Sequence, residues 1–166
     1  MALIKINKFT TIDELQYFLA GGIFGSSAGV QPRPGGGPGI PNIVGKTLTF
    51  LAPAGTVTFV AGANPNGFLT LKEIKAQLEA AIPTLVLRPT FEGGRLGIIQ
   101  ATPTTGVTLK GDGTVATNAN VFLGFDSSND TVGKVYGSPY AGPAVVPYFI
   151  QSYSSNDNTH VVFTFE

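Results

Sequence analysis

The side chains able to do chemistry are few in this chain. It contains one histidine, His160, and no cysteine. His160 begins a strand-like run in which Val161 and Phe163 occupy the opposite face, so its side chain is predicted to face solvent. Without cysteine there is neither a disulfide nor a thiolate metal site, and no triad motif accompanies the histidine. We predict no catalytic residue.

Clusters of oxygen-bearing side chains are the next candidates. The run 126–130 contains Asp126, Asn129 and Asp130, which could offer oxygens to calcium, but it lacks the full pattern and the bidentate glutamate of a calcium loop. Asp112 lies between two glycines and is predicted to be a turn residue. The ten acidic residues show no spacing that marks a glycosidase pair. We predict polar turns here, and no metal.

Two further patterns bear on ligands. The glycine-rich run near residue 36 carries neither a dinucleotide fingerprint nor a P-loop ending, and its prolines remove N–H groups that a phosphate cradle needs, so we predict no cofactor. Aromatic side chains near the C-terminus could stack on sugar rings or anchor a protein interface, and we favour the interface. They are Tyr136, Tyr140, Tyr148 and Tyr153.

The composition indicates a chain that hides surface against other proteins. Ten basic residues balance ten acidic ones, and only 12% of residues are charged, about half the usual fraction of roughly 25%. This balance gives no electrostatic reason to bind nucleic acid or an anionic membrane, whereas interface cores are poor in charge. No apolar run has the length of a signal peptide or a membrane span, so we expect a soluble chain made in the cytoplasm.

The elements that would position these residues are clearest between 46 and 101. Strands over 46–52 and 56–61 alternate in polarity around the turn 53–55 and predict a hairpin. Thr70 and Glu73 form a capping box that begins an amphipathic helix over 70–82, which Pro83 ends. A second strand pair is predicted over 84–90 and 95–101, around a glycine turn.

The remaining elements are shorter. We predict a strand over 107–109, a helix over 116–122 with Thr117 as a possible cap, and a loop from 126 to 146. A C-terminal hairpin over 148–153 and 160–165 follows. Its edge needs a cover, for which we expect an arm from another copy.

The N-terminal part contains two different kinds of segment. A strand over 2–6 precedes a short helix over 11–20, whose capping box is formed by Thr11 and Glu14. Residues 21–45 are rich in glycine and proline, which oppose helix and regular strand. This segment is either a flexible linker or an extended arm that orders against adjacent copies.

These elements predict an α+β, β-rich fold with a mainly antiparallel sheet and one central helix. The predicted divisions are 1–20 (strand and helix), 21–45 (arm or linker) and 46–166 (core domain with the C-terminal hairpin).

One set of residues resembles a known module. The helix sequence over 70–82, with Gln77 and the pair Ala80-Ala81, is followed by Gly-Arg-Leu-Gly-Ile at 94–98 and Leu-Gly-Phe at 123–125. Together with the two preceding strands, this pattern resembles a module of flagellins and hook-associated proteins that recurs in virion proteins of tailed bacteriophages. The resemblance implies an assembly module of repeated subunits, without catalytic residues.

We therefore predict a non-enzymatic structural virion protein of a tailed phage. It would assemble in many copies as a capsid decoration (cement) subunit or a head-to-tail joining subunit, with itself and other virion proteins as partners. The alternative is a carbohydrate-binding module of a tail or fibre. The predicted subunit-interface residues are Phe18, Phe24, Pro32, Arg33, Pro34, Pro38, Tyr140, Tyr148, Phe149 and Tyr153.

Overall fold

The computed structural model describes residues 2–7, 17, 20–26, 28–34, 37–63, 67–89, 96–101, 105–113, 116–135, 150–155 and 160–165. In chain order the elements are β1 (Ala2–Asn7), β2 (Ile23–Phe24), β3 (Gln31–Pro32), β4 (Pro38–Gly39), β5 (Thr47–Ala52), β6 (Ala54–Thr58), α1 (Leu71–Ala81), β7 (Leu85–Pro89), β8 (Leu96–Gln100), β9 (Thr108–Leu109), a 3-10 turn (Val121–Leu123), β10 (Thr131–Val132), β11 (Ile150–Ser155) and β12 (His160–Phe165).

The predicted α+β class with mainly antiparallel pairing is confirmed. Among the described residues the strands form four sheets, ordered β10-β9-β5-β6, β2-β8-β7, β1-β12-β11 and β3-β4, and α1 is the one named α-helix. Every ladder between named strands is antiparallel. The division of the chain at residues 20 and 45 stays a prediction.

The hairpin of β5 and β6 is confirmed, with a tighter turn than predicted. Leu48 pairs with Val57 and Phe50 with Gly55, and Pro53 alone separates the two strands. Leu48, Phe50 and Val57 are buried, as their alternation with threonine requires when one face of a sheet covers a core.

Helix α1 is confirmed almost to the residue. Thr70 is its N-cap: the hydroxyl accepts from the Glu73 N–H at 3.1 Å, while the Glu73 carboxylate accepts from the Thr70 N–H at 2.8 Å. Ile74 and Leu78 form its buried stripe, and Ile82 closes the C-terminus by donating its N–H to the Leu78 carbonyl at 2.9 Å. Local signals specify this helix because the capping box and the apolar stripe indicate the same helical segment.

The predicted extended arm over 21–45 is not confirmed, since the described residues of this segment fold back onto the same chain. Strand β2 pairs with β8, and Ile40 exchanges two hydrogen bonds with Leu69 at 2.8 and 3.1 Å. Ile23, Ile40 and Ile43 are buried in the core. Glycine and proline prevent a long regular element here, but the three isoleucines still bury apolar surface.

One edge of the C-terminal hairpin is covered by the same chain. Strands β11 and β12 form the hairpin, but β1 of the same chain pairs with β12 from Ala2↔Phe165 to Asn7↔His160. Strand β12 is therefore central in its sheet, whereas β11 stays at the edge, and its cover by an arm from another copy stays a prediction. Most of the predicted helix over 11–20 lies outside the described residues. Of the two described, Tyr17 is helical and its ring lies under the Arg88 guanidinium, 5.5 Å from the ring centroid.

The predicted helix over 116–122 is wrong. Asn118 forms a parallel bridge with Thr47, and only Val121–Leu123 make a 3-10 turn, which Gly124 ends with a φ of 83°. The Asn118 side-chain oxygen accepts from the Asn120 N–H at 2.5 Å. Asparagine side chains that bond to nearby backbone compete with helix formation, so Thr117 caps no helix.

Three glycines allow three distant segments to cross with their backbones in contact, and we call Gly21, Gly106 and Gly133 the glycine crossing. The Gly21 carbonyl accepts from the Val107 N–H at 2.9 Å, and the Val107 carbonyl accepts from the Gly133 N–H at 2.7 Å. A Cβ on Gly106 would overlap the carbonyl oxygen of Gly133, and a Cβ on Gly133 would overlap that of Gly21. Only hydrogen side chains fit here.

Candidate interface

The structure describes part of the predicted interface set. Phe24, Pro32, Arg33, Pro34 and Pro38 lie among the described residues, and Tyr153 lies in β11. Phe18, Tyr140, Tyr148 and Phe149 lie outside them, as does Tyr136 of the tyrosine cluster. Five of the predicted interface residues thus lie between Phe24 and Gly39, and this segment is the candidate interface.

Strands β3 and β4 form a small surface ladder, and we call residues 31–34 and 37–39 the proline hairpin. Pro32 pairs with Pro38, and the Arg33 N–H donates to the Gly37 carbonyl at 2.9 Å. Pro32, Pro34 and Pro38 are exposed. The hairpin borders a shallow cleft of about 360 Å³, which is lined by Val30, Gln31, Pro32, Gly37 and Pro38.

The Arg33 side chain packs within the proline hairpin. Its stem lies across Gly39, where an added Cβ would come within 2.7 Å of Cγ and 2.8 Å of Cδ. The residue is half-buried, and its Nε is buried without a hydrogen-bond partner among the described residues. Its positive charge also acts on Glu73 at the start of α1. The Arg33 side chain is thus partly buried against its own chain and partly exposed to solvent.

Glu73 is held in its charged form. The hydrogen bond from the Thr70 N–H is the main cause that lowers the pKa of Glu73, against an opposing effect of partial burial. The Ala63 N–H, which donates at 3.0 Å, the Thr70 hydroxyl and the Arg33 charge lower this pKa further. One carboxylate therefore joins the capping box to the loop before α1 by hydrogen bonds.

We predict that Glu73 makes folding stability pH-dependent in the acid range. Because its pKa is lower in the folded state than its ordinary value of 4.5, the charged form contributes stability above that value and loses it as pH falls through the folded pKa. Glu73→Gln should therefore give a flatter free energy of unfolding below about pH 4.5. Urea titrations at several pH values test this.

The control for Glu73→Gln is Lys72→Gln on the same helix. It also removes one charge, but lysine takes up no proton in this pH range. Its stability profile should run parallel to that of the wild type. Equal slopes for the Glu73→Gln variant and the wild type would contradict the prediction.

A larger cleft lies beside β2. Its volume is about 640 Å³, and it is lined by Phe24, Ser26, Val121, Gly124, Phe125, Asp126 and Thr131. Gly97 gives space to the Phe24 ring, since an added Cβ would lie 2.5 Å from its Cε1. The Ser26 hydroxyl donates to the Gly124 carbonyl at 3.1 Å, so the wall of the cleft is tied to the 3-10 turn.

Asparagines and aspartates brace the loops next to this cleft. Asn120 is buried and donates to the carbonyls of Lys110 at 3.0 Å and Asp126 at 2.7 Å, while Asn118 donates to Asp112 at 2.7 Å. The Asn129 side-chain amide is the main cause that lowers the pKa of Asp126. The polar turn predicted over 126–130 is thereby confirmed.

These carboxylates bind the chain's own groups. Asp126 accepts from the N–H groups of Ser128 and Asn129 at 2.7 and 3.2 Å, and Asp130 accepts from the Gly111 N–H at 2.9 Å. Within the described ranges, no group of three or more His, Cys, Asp or Glu residues could hold a metal ion. The roles of Asn118 and Asn120 were not predicted, and their only signal in the sequence is the presence of two asparagines within the helix predicted over 116–122.

Several apolar side chains are exposed away from the proline hairpin. Val132 is 65% exposed and Val60 is 60% exposed, followed by Leu51 and Val121 at 51% each. Val132 lies on β10 and Leu51 on β5, which both belong to the four-stranded sheet. The surface thus offers apolar groups in a chain poor in charge.

Comparison of the chain with models of known protein families, with curated proteins and with solved structures gave no match. The resemblance to the flagellin and hook-associated module therefore stays a prediction. Among the described residues, no helix is both long and apolar enough to cross a membrane. The fold is an α+β chain with mainly antiparallel sheets, and its candidate site is the proline hairpin with the clefts described above.

Proposed function

We propose that this chain is a structural, non-enzymatic subunit that assembles in many copies in the virion of a tailed phage, as a capsid decoration or head-to-tail joining protein. The proline hairpin is the observation that carries the proposal. Pro32, Pro34 and Pro38 present exposed apolar rings on a ladder that is already ordered. Such a surface loses little conformational entropy when a partner binds.

The charges of the described region support the same proposal. Glu73, Asp112, Asp126 and Asp130 each accept hydrogen bonds from their own chain, and Lys75 pairs with Glu79. These groups stabilise turns and the helix. Exposed prolines and exposed apolar residues such as Val60 and Val132 lie on the same surface as these charges, and a low content of charge is typical of the cores of protein interfaces.

The segment 21–45 has a more specific role in this proposal. Its isoleucines secure it to the core, while the proline hairpin carries the contact to a neighbouring subunit. In this proposal the helix predicted over 11–20, with Phe18, and the tyrosines near the C-terminus, which lie largely outside the described residues, would extend this contact.

Location in the particle is the decisive test. Antiserum raised against the purified chain is applied to tailed particles banded from a lysate of the encoding strain, and copy number is measured by quantitative mass spectrometry. We expect regular labelling of the capsid or neck and many copies per particle. Absence from particles that contain other virion proteins would overturn the proposal, and glycan-array binding in that case would favour the carbohydrate-binding alternative.

A pair of variants tests the proline hairpin itself. Pro32→Asp places a carboxylate on the proposed contact, where desolvation opposes binding, so incorporation into particles should fall about tenfold or more. Thr58→Asp adds the same charge at an exposed position on β6 and should incorporate normally. Equal incorporation of both variants would remove the hairpin from the contact.

A further inference from the structure

Two sheets of this fold end in strands that need protection. Strand β7 is an edge of the sheet β2-β8-β7, and β6 is an edge of the sheet β10-β9-β5-β6. The outer N–H and C=O groups of an edge strand are a template for pairing with a strand of another chain. Helix α1 packs against both β6 and β7.

On one side, Gln77 binds the segment that continues β6. The Val60 N–H donates to Gln77 Oε1 at 2.8 Å, and Gln77 Nε2 donates to the Val60 carbonyl at 3.0 Å. One side-chain amide thus occupies both backbone groups of one residue, as a paired strand does. Glu73 continues this contact by accepting from the Ala63 N–H.

On the other side of the helix, a salt-bridged pair of side chains binds both backbone groups of one residue of β7. The Leu87 N–H donates to Glu79 Oε1 at 3.3 Å, and Lys75 Nζ donates to the Leu87 carbonyl at 3.4 Å. Lys75 and Glu79 also bind each other. Two residues further along the same edge, Pro89 has no N–H to offer.

The helical repeat explains this arrangement. At 3.6 residues per turn, positions four apart lie on the same side of a helix. Ile74 and Leu78 form the buried stripe of α1, so the pair Glu73 and Gln77 lies on one flank of that stripe and the pair Lys75 and Glu79 on the other. Each flank faces one sheet edge.

We infer that α1 acts as a substitute strand, an autoinhibitory contact that prevents a second copy of this chain from adding a strand at Val60 or at Leu87. Assembly is thereby directed to other surfaces. This inference is independent of the proline hairpin, since it concerns a contact that is blocked and not the one that is used.

The test removes the side-chain hydrogen bonds one flank at a time. Gln77→Met and Glu79→Met keep length and helix propensity but lose the bonds to Val60 and Leu87. Hydrogen exchange, read by mass spectrometry, should become about tenfold faster at the affected amide in each variant, the effect of losing one hydrogen bond. In the double variant, sedimentation velocity should show concentration-dependent oligomers that bind thioflavin T.

Two controls make the test specific. Lys72→Met adds the same side chain at an exposed helix position and should change neither exchange nor association, while Glu79→Gln keeps an acceptor for Leu87 and should restore protection. Faster exchange throughout β5 and β8 would indicate general unfolding. Unchanged exchange at Val60 and Leu87, general unfolding, or oligomers that also form with Lys72→Met would each overturn the inference.

Discussion

Phe59→Ala is expected to lower the free energy of unfolding by about 3–5 kcal/mol, the usual loss for a fully buried phenylalanine. Phe59 has 0% exposure and belongs to the single core cluster of the described residues. Its backbone is fixed as well, because its N–H donates to Lys46 at 2.9 Å and its carbonyl accepts from Gly45 at 2.7 Å. The site therefore cannot collapse easily around the smaller side chain.

The neighbouring residue provides the control. Val60 is 60% exposed, and Val60→Ala leaves its backbone bonds to Gln77 in place, so it should change stability by about 0.5 kcal/mol or less. Urea denaturation followed by circular dichroism measures both variants. Similar losses for the two would mean that Phe59 is not in the core.

Gly106→Ala is expected to cost about 3 kcal/mol, at the upper end of the range for overpacking. The added Cβ would overlap the Gly133 carbonyl oxygen and lie 2.6 Å from the Gly133 carbonyl carbon. Both atoms belong to the backbone of Gly133, whose N–H donates to the Val107 carbonyl. Relief therefore requires two segments to separate and that hydrogen bond to lengthen.

Gly29→Ala is the matched control for the glycine crossing. A Cβ there meets only the Phe122 carbonyl oxygen at 3.6 Å, an ordinary contact. Its stability should stay within about 0.5 kcal/mol of the wild type. Thermal and urea denaturation of both variants test the pair, and a neutral Gly106→Ala would show that the crossing is loosely packed.

Local signals were enough for the central elements. The capping box of Thr70 and Glu73, the stripe of Ile74 and Leu78, and the alternation through Leu48 and Phe50 each specify an element within a few residues. In such cases local propensity and tertiary packing favour the same structure, so the element can be predicted from the sequence without knowledge of distant contacts.

Non-local contacts explain the errors. Ile23, Ile40 and Ile43 are isolated among glycine and proline and show no period, so nothing local indicated that they enter the core. Asn118 has its bridge partner, Thr47, far away in the chain. The partner of β1 lies at the other end of the described chain.

The candidate site was predictable only in part. Pro32 and Pro38 were predicted as interface residues within an arm or linker, but nothing local indicated that they pair with each other. The roles of Gln77 and Glu79 at the sheet edges were not predictable, because a helix sequence does not show which strands lie beside it. The same residues would suit any solvent-facing helix surface.

The pairing of β1 with β12 has a consequence for synthesis. The ladder partner of residues 2–7, at 160–165, emerges from the ribosome about 150 residues after them. Strand β1 therefore has no partner while the residues between the two strands are translated. A nascent chain stalled before His160 carries a free six-residue strand, which is available to neighbouring nascent chains on the same polysome.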